Sequence, residues 1–226
     1  MSRVIFLFAL LLYCTTHSAQ SVQRRWSITP RIGVNNSNVM GFHWYTTIGN
    51  VTKAADLVET TSKWGLTFGA DVECMVNRRL GFSLGWYYSN EGYLIKQNAS
   101  GSIYISGKKL EDDKKIKTSL HTFSFPFLVN FYVLPNLALK TGLQVDGLVS
   151  ARQNYENQSS ELPLNSLHTI GLGLPVALSF EFKNFAADVR YIWVFTNYCD
   201  VNITNRSKEV WNSRSLWMTL GYRFIL

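Results

Sequence analysis

Beyond residue 25 the chain alternates apolar and polar positions with a period of two, in about eight segments of about ten residues, the length a tilted strand needs to cross a bilayer. That period sends successive side chains to opposite faces, so each segment predicts a strand with one apolar and one polar face. In the first, Trp26, Ile28, Pro30, Ile32 and Val34 oppose Ser27, Thr29, Arg31, Gly33 and Asn35. In the second, Trp64, Leu66, Phe68, Ala70, Val72 and Cys74 oppose Gly65, Thr67, Gly69, Asp71 and Glu73. Leu80, Phe82, Leu84, Trp86 and Tyr88 form the apolar face of the third, and the odd positions from Phe123 to Val133 that of the fourth. The fifth sets Leu137, Leu139, Thr141, Leu143, Val145 and Val149 against Lys140, Gly142, Gln144, Asp146 and Ser150. The sixth sets the even positions from Ile170 to Phe180 against Thr169, Gly171, Gly173, Ala177 and Ser179. The last two carry Phe185, Ala187, Val189, Tyr191, Trp193 and Phe195, then Leu216, Met218, Leu220, Tyr222 and Phe224, with Asp188, Arg190, Thr219, Gly221 and Arg223 opposite.

Connection lengths alternate as well. Long polar stretches cover residues 36–63, 90–118, 151–165 and 196–213, while tight turns lie at 77–79, 135–136 and 183–184. Short periplasmic turns facing longer extracellular loops are the habit of outer-membrane barrels, and they put both chain ends on the periplasmic side. The expected fold is all-β: an eight-stranded antiparallel transmembrane β-barrel. A secreted sandwich or lipocalin-like barrel shares the alternation, but its water-facing side would carry many Lys and Glu. Here the minor face is Gly, Ser, Thr and a few charges, which suits a crowded interior. Arg31, Lys140, Arg190 and Arg223 on that face are matched by Asp71, Glu73, Asp146 and Asp188. They are expected to pair inside the barrel, because an uncompensated buried ion costs several kcal/mol. Trp26, Trp64, Tyr88, Tyr191, Trp193 and Tyr222 stand near strand ends, where aromatic girdles form.

The N-terminus changes the picture by fixing a compartment. A basic start at Arg3, an apolar core from Val4 to Tyr13 and small residues ending near Ala19 make a secretory signal, so 1–19 is read as signal peptide and 20–226 as the barrel domain. The apolar core is far shorter than the roughly 20 residues of a spanning helix, and no later run reaches that length. Cys14 follows the bulky Tyr13, where a lipidation motif wants a small residue. Cys74 and Cys199 then remain, too few for a disulfide-dense scaffold or an unaided zinc site. The formal net charge of +7 fits phosphate-rich partners, and after export these are lipid head groups or lipopolysaccharide rather than nucleic acid.

Candidate chemistry is sparse. An eight-stranded barrel is just wide enough to be filled by its own side chains, which argues against a wide channel and leaves the interior charges as a packed network or a narrow ion path. Ser166 and His168 share a face near the outer rim and fit the nucleophile and base of a lipid-modifying enzyme, but no carboxylate stands nearby in sequence to orient the histidine. His43 lies within the aromatic run from Met40 to Tyr45, a mouth plug or a ligand anchor, and His121 begins the fourth strand. Lys108, Lys109, Lys114, Lys115 and Lys117, mixed with Glu111, Asp112 and Asp113, read as a solvated loop or a patch for phosphates or a partner protein. Glycosylation sequons such as those at Asn50, Asn98, Asn157 and Asn202 are read as turn composition. With no metal, nucleotide or redox motif visible, no catalytic, cofactor or metal residue is assigned, and the barrel is expected to be non-enzymatic.

The stretches WGLTFGADVECMVNRRLGFSLGWYYSNEGY, FSFPFLVNFYVLPNLALKTGLQVDGLVSAR, GLGLPVALSFEFKNFAADVRYIWVFTN and SLWMTLGYRF resemble the outer-membrane β-barrel domain proteins of Bacteroidetes, the PorT-like family, with Pro126 in the fourth strand and a closing GYRF. The resemblance implies a bacterial outer-membrane location. It also implies a structural or binding role through extracellular loops, or an accessory role in envelope transport and secretion. Expected partners are outer-membrane lipid and lipopolysaccharide, the barrel-assembly machinery and other envelope proteins. Chains of this kind usually end at the aromatic of the terminal strand, which serves as assembly signal; Tyr222 and Phe224 take that place, with Ile225 and Leu226 beyond them.

Overall fold

The computed structural model describes residues 25–40, 44–48, 51–55, 58–97, 104–105, 108–109, 116–155, 158–161, 169–196, 202–204, 207–208 and 212–226. Eight of its strands form a ring: β1 Arg25–Met40, β2 Val58–Met75, β3 Leu80–Gln97, β4 Ile116–Leu134, β5 Leu137–Tyr155, β6 Ile170–Phe182, β7 Phe185–Val194 and β8 Asn212–Tyr222, continued by Phe224–Ile225. Each pairs antiparallel with the next, and β8 returns to β1 with Arg31 opposite Gly221 and Ser27 opposite Ile225. Closure leaves no row of unpaired backbone groups, the condition for strands to sit in hydrocarbon.

Side-chain burial is inverted relative to a water-soluble protein. Leu220 is 68% exposed and Leu66 64%, whereas Arg190 is 1% and Lys140 2% exposed. So broad an apolar surface around a charged interior is stable only against lipid. The outward band runs, for example, from Phe82 to Tyr88 on β3 and from Phe123 to Val133 on β4. Trp26 and Tyr222 border it on the periplasmic side, Trp64 and Trp193 on the other.

The strands outrun the sequence expectation. Residues 36–63, 90–118 and 151–165, expected as loops, contribute Asn36–Met40, Val58–Lys63, Asn90–Gln97, Ile116–Thr118 and Ala151–Tyr155 to the ladders. Gln158–Glu161 pairs back on β5, and Trp44–Ile48 with Val51–Ala55 makes a separate hairpin. β2 to β5 have 18 or 19 residues, while β6 to β8 have 13, 10 and 11. A crossing needs about 9–11 residues, so the wall stands taller on the β1–β5 side. The alternation of the lipid band does not continue there, because the outer face turns polar while apolar side chains such as Tyr93, Ile95, Ile116 and Leu120 turn inward.

Two further departures concern direction. A register shift at His121 and Thr122, opposite Ser150 and Leu148, passes the inward positions of β5 from even (Asp146, Leu148) to odd (Ala151), so Ser150 does not share the Lys140 face. Thr169, expected on the inner face, is exposed. Pro126 is inward, as expected. The β3–β4 ladder is interrupted beside it, between Leu84–Phe127 and Tyr87–Ser124, where Pro126 has no N–H to give.

Candidate functional site

The interior is the one place where these elements bring many functional groups together. Arg31, Asp71, Glu73, Lys140, Asp146, Asp188 and Arg190 are all buried inside the barrel, and Arg223 lies half-buried at its periplasmic end. At mid-height Arg31 Nε donates to Asp71 Oδ2 at 2.8 Å, and Arg190 lies 3.8 Å from the same carboxylate and 3.5 Å from Asp188. Lys140 Nζ approaches Asp188 at 3.9 Å. The Arg190 guanidinium stands 5.2 Å over the Tyr87 ring and 5.9 Å over Trp217, whose own centroids are 5.4 Å apart. This charge and aromatic stack spans the lumen from β2 and β3 to β7 and β8.

A second network closes the periplasmic end. Arg223 pairs with Glu181 and, at 3.3 Å, with Glu73. Tyr132 Oη donates to Glu73 at 2.9 Å and stands 2.9 Å from Glu181, and Asn130 Nδ2 donates to Glu73 at 2.7 Å. Four strands, β2, β4, β6 and β8, are thereby tied across the barrel. Removing one partner of such a buried pair costs about 3–5 kcal/mol, so these charges hold register strongly whatever else they do.

Asp146 departs from the expected pairing. Among the described residues it has no cationic partner; its Oδ1 accepts from Gln144 Nε2 at 2.7 Å, and the nearby charge is another acid, Glu91. Glu91 Oε1 accepts from Trp217 Nε1 at 2.9 Å and from Ser89 Oγ at 3.4 Å. Sequence reasoning missed Glu91, Lys63 and Glu181. The first two lie where the chain was read as loop, although the odd parity of β3 carried on to residue 91 would have found Glu91. Lys63 Nζ donates to Asn90 Oδ1 at 2.6 Å and to the Glu91 carbonyl at 2.8 Å.

On the outer wall, Tyr88 Oη lies 2.6 Å from His121 Nδ1, and Tyr88 packs on Phe68 at 5.1 Å and Phe123 at 5.5 Å. Tyr222 and Phe224, read as the assembly signal, face outward with centroids 4.8 Å apart, and Tyr222 meets Phe185 edge-on at 5.3 Å. Ser166, His168, His43, the basic residues 114–115 and the signal segment lie outside the described residues. No group of three metal-binding side chains occurs among the described residues.

No curated protein matches the chain in sequence. Among solved structures it is similar to Ail, the attachment invasion locus protein of Yersinia pestis, at 15% identity and a TM-score of 0.44, over 90% of this chain and 100% of that one. It is similar to Neisserial surface protein A at 12% identity and 0.45, over 88% and 97%. For the outer membrane protein OprG of Pseudomonas aeruginosa the figures are 11% and 0.43, over 89% and 97%. The model of the outer membrane protein beta-barrel domain matches residues 18–200, and with the closed, lipid-faced ring of strands around a charged interior it shows that the chain belongs to that family and is a β-barrel protein of the bacterial outer membrane.

Proposed function

We propose that this barrel neither conducts nor catalyses, and that it works by binding at its tall extracellular wall and the loops above it, in support of envelope transport or secretion. The observation that carries this reading is the filled lumen. Trp217, Arg190, Tyr87, Lys140, Leu128, Ile192 and Gln144 are all below 2% exposure or at its margin inside a ring of only eight strands. Solute passage would require breaking paired, desolvated charges. The surplus length of β1–β5 supports the outer wall as the working surface, since strand beyond the hydrocarbon does nothing for insertion. The resemblance of its strands to PorT-like barrels supports a task in secretion over simple membrane architecture.

Planar bilayers decide it. Purified protein at saturating amounts is expected to leave the membrane electrically silent; resolved single-channel steps would overturn the reading in favour of a narrow pore. Lipid A mass spectra of expressing cells are expected to be unchanged, and loss or gain of an acyl chain would overturn the non-catalytic half.

A further inference from the structure

We propose that the outward face of β4 and β5, just above the apolar band, holds the phosphate of an outer-leaflet lipid headgroup, with Lys117, His121 and Arg152 as its ligands. Pairing sets Arg152 between Lys117 and His121, which stand about 13 Å apart along β4. Ser119 of β4 stands opposite Arg152 of β5, which puts Arg152 diagonal to both Lys117 and His121, the spacing of about 7–8 Å at which long side chains converge on one ligand. Lys117 and Arg152 are exposed. Only one acid among the described residues touches the group: Glu161, 73% exposed itself, at 3.0 Å from Arg152. An exposed pair of that kind is worth about 0–1 kcal/mol and yields readily to a phosphate, which Arg binds with two donors.

Height and floor select a lipid. His121 is two residues above Phe123, the last ring of the β4 band, which at about 3.3 Å per residue is headgroup depth. Beneath it Phe68, Tyr88 and Phe123 pack as one aromatic cluster, the kind of surface that sits at the boundary between acyl chains and headgroups. With Tyr88 Oη held against Nδ1, Nε2 is the ring nitrogen left to meet an anion. The charged and titratable groups around this ring are Tyr88 on β3, Lys63 on β2, Lys117 on β4 and Arg152 on β5, and the acid Glu161 lies exposed beyond Arg152. The Lys63 and Arg152 cations both act on this ring, and an anion seated here would offset their field. The site depends on the outer-membrane orientation and not on the closed lumen, so a conducting barrel would leave it standing.

The test uses the full chain in nanodiscs of phosphatidylcholine alone, with phosphatidylglycerol, or with phosphatidic acid, whose headgroup is a phosphate monoester. The His121 imidazole is followed by NMR against pH and assigned by its loss in His121→Asn. Phosphatidic acid is expected to raise the proton affinity of His121 several-fold more than phosphatidylglycerol does. Native mass spectrometry should show the lipid retained, with retention falling about 25-fold in Lys117→Gln/Arg152→Gln, roughly fivefold per charge removed. That double variant should keep the heat-dependent electrophoretic mobility of a folded barrel, since both side chains are exposed. An equal rise with both anionic lipids, or the same rise in the double variant, would reduce the effect to surface potential and overturn the site. A matching rise on adding inorganic phosphate to phosphatidylcholine discs would overturn the lipid assignment.

Discussion

At the scale of single residues the most consequential group is Glu91, because it is buried beside a second acid. Its Oε1 accepts from the Trp217 indole N–H at 2.9 Å, and Trp217 is 1% exposed, so a side chain without an acceptor would leave a buried donor unpaired. Glu91→Leu is therefore expected to destabilise by about 1–3 kcal/mol in urea unfolding in micelles, and Glu91→Gln, which keeps an acceptor, by less. Equal losses in the two variants would mean that the Trp217 bond contributes nothing. The eight charges that share the minor face in sequence are buried or half-buried in the structure, because period two alone decides which way a side chain faces. Their partners were less legible: Asp71 serves Arg31 and Arg190 together, and Asp146 takes an amide, choices set by three-dimensional distance that no spacing encodes.

At the scale of strands, what was readable stopped where the lipid stops. Inside the band the outer face must be apolar, so Phe123 to Val133 announce β4 plainly; above it the apolar positions pass to the inner face, as at Val39, Tyr93, Ile95, Ile116 and Leu120, among polar residues such as Asn36, Asn38 and Ser119, and the pattern of the band is lost. The upper wall is held by these inward contacts, Leu120 with Leu148 and Ala151 among them, and by backbone-directed hydrogen bonds. Ser37 Oγ donates to the Gly92 carbonyl at 2.9 Å and accepts from the Gly92 N–H at 2.8 Å, linking β1 to β3 beside the register break in β2 between Ser62 and Thr67. Gly92 has φ +138°, and a Cβ there would sit 2.1 Å from the Thr118 carbonyl oxygen. Gly92→Ala is thus expected to destabilise by about 1–3 kcal/mol or more, through backbone strain and collision together. Gly147→Ala is its control: the nearest atom to a new Cβ is the Phe123 carbonyl oxygen at 3.7 Å, an ordinary contact, and the change should be close to neutral. Equal midpoints for the two variants in urea would show that the upper wall contributes nothing to the cooperative unit.

At the scale of the whole molecule the decisive feature is the seam between the first and last strands. Seven of the ring's junctions join neighbours in sequence, whereas β1 and β8 meet across nearly the entire chain; Arg223 Nε donates to Ser27 Oγ at 3.1 Å over a separation of 196 residues. Such a contact forms late, because its loop-closure entropy must be met before it contributes. Ile225 and Leu226, which follow the aromatic that usually ends such chains, are part of this seam: Ile225 stands opposite Ser27, and Leu226 N–H donates to the Trp26 carbonyl at 2.9 Å. They extend the closing ladder beneath the ten residue pairs from Arg31–Gly221 to Met40–Asn212 that fix its register. Removing both residues should therefore cost about 1–2 kcal/mol of stability, the worth of one or two exposed-end hydrogen bonds, while leaving a closed barrel. Unboiled electrophoresis would still show the folded, faster band, and the loss should fall mainly on the unfolding rate if the seam closes after the transition state. Collapse of the folded band on trimming would instead make these two residues the latch of the ring, and the aromatic pair Tyr222 and Phe224 insufficient to close it.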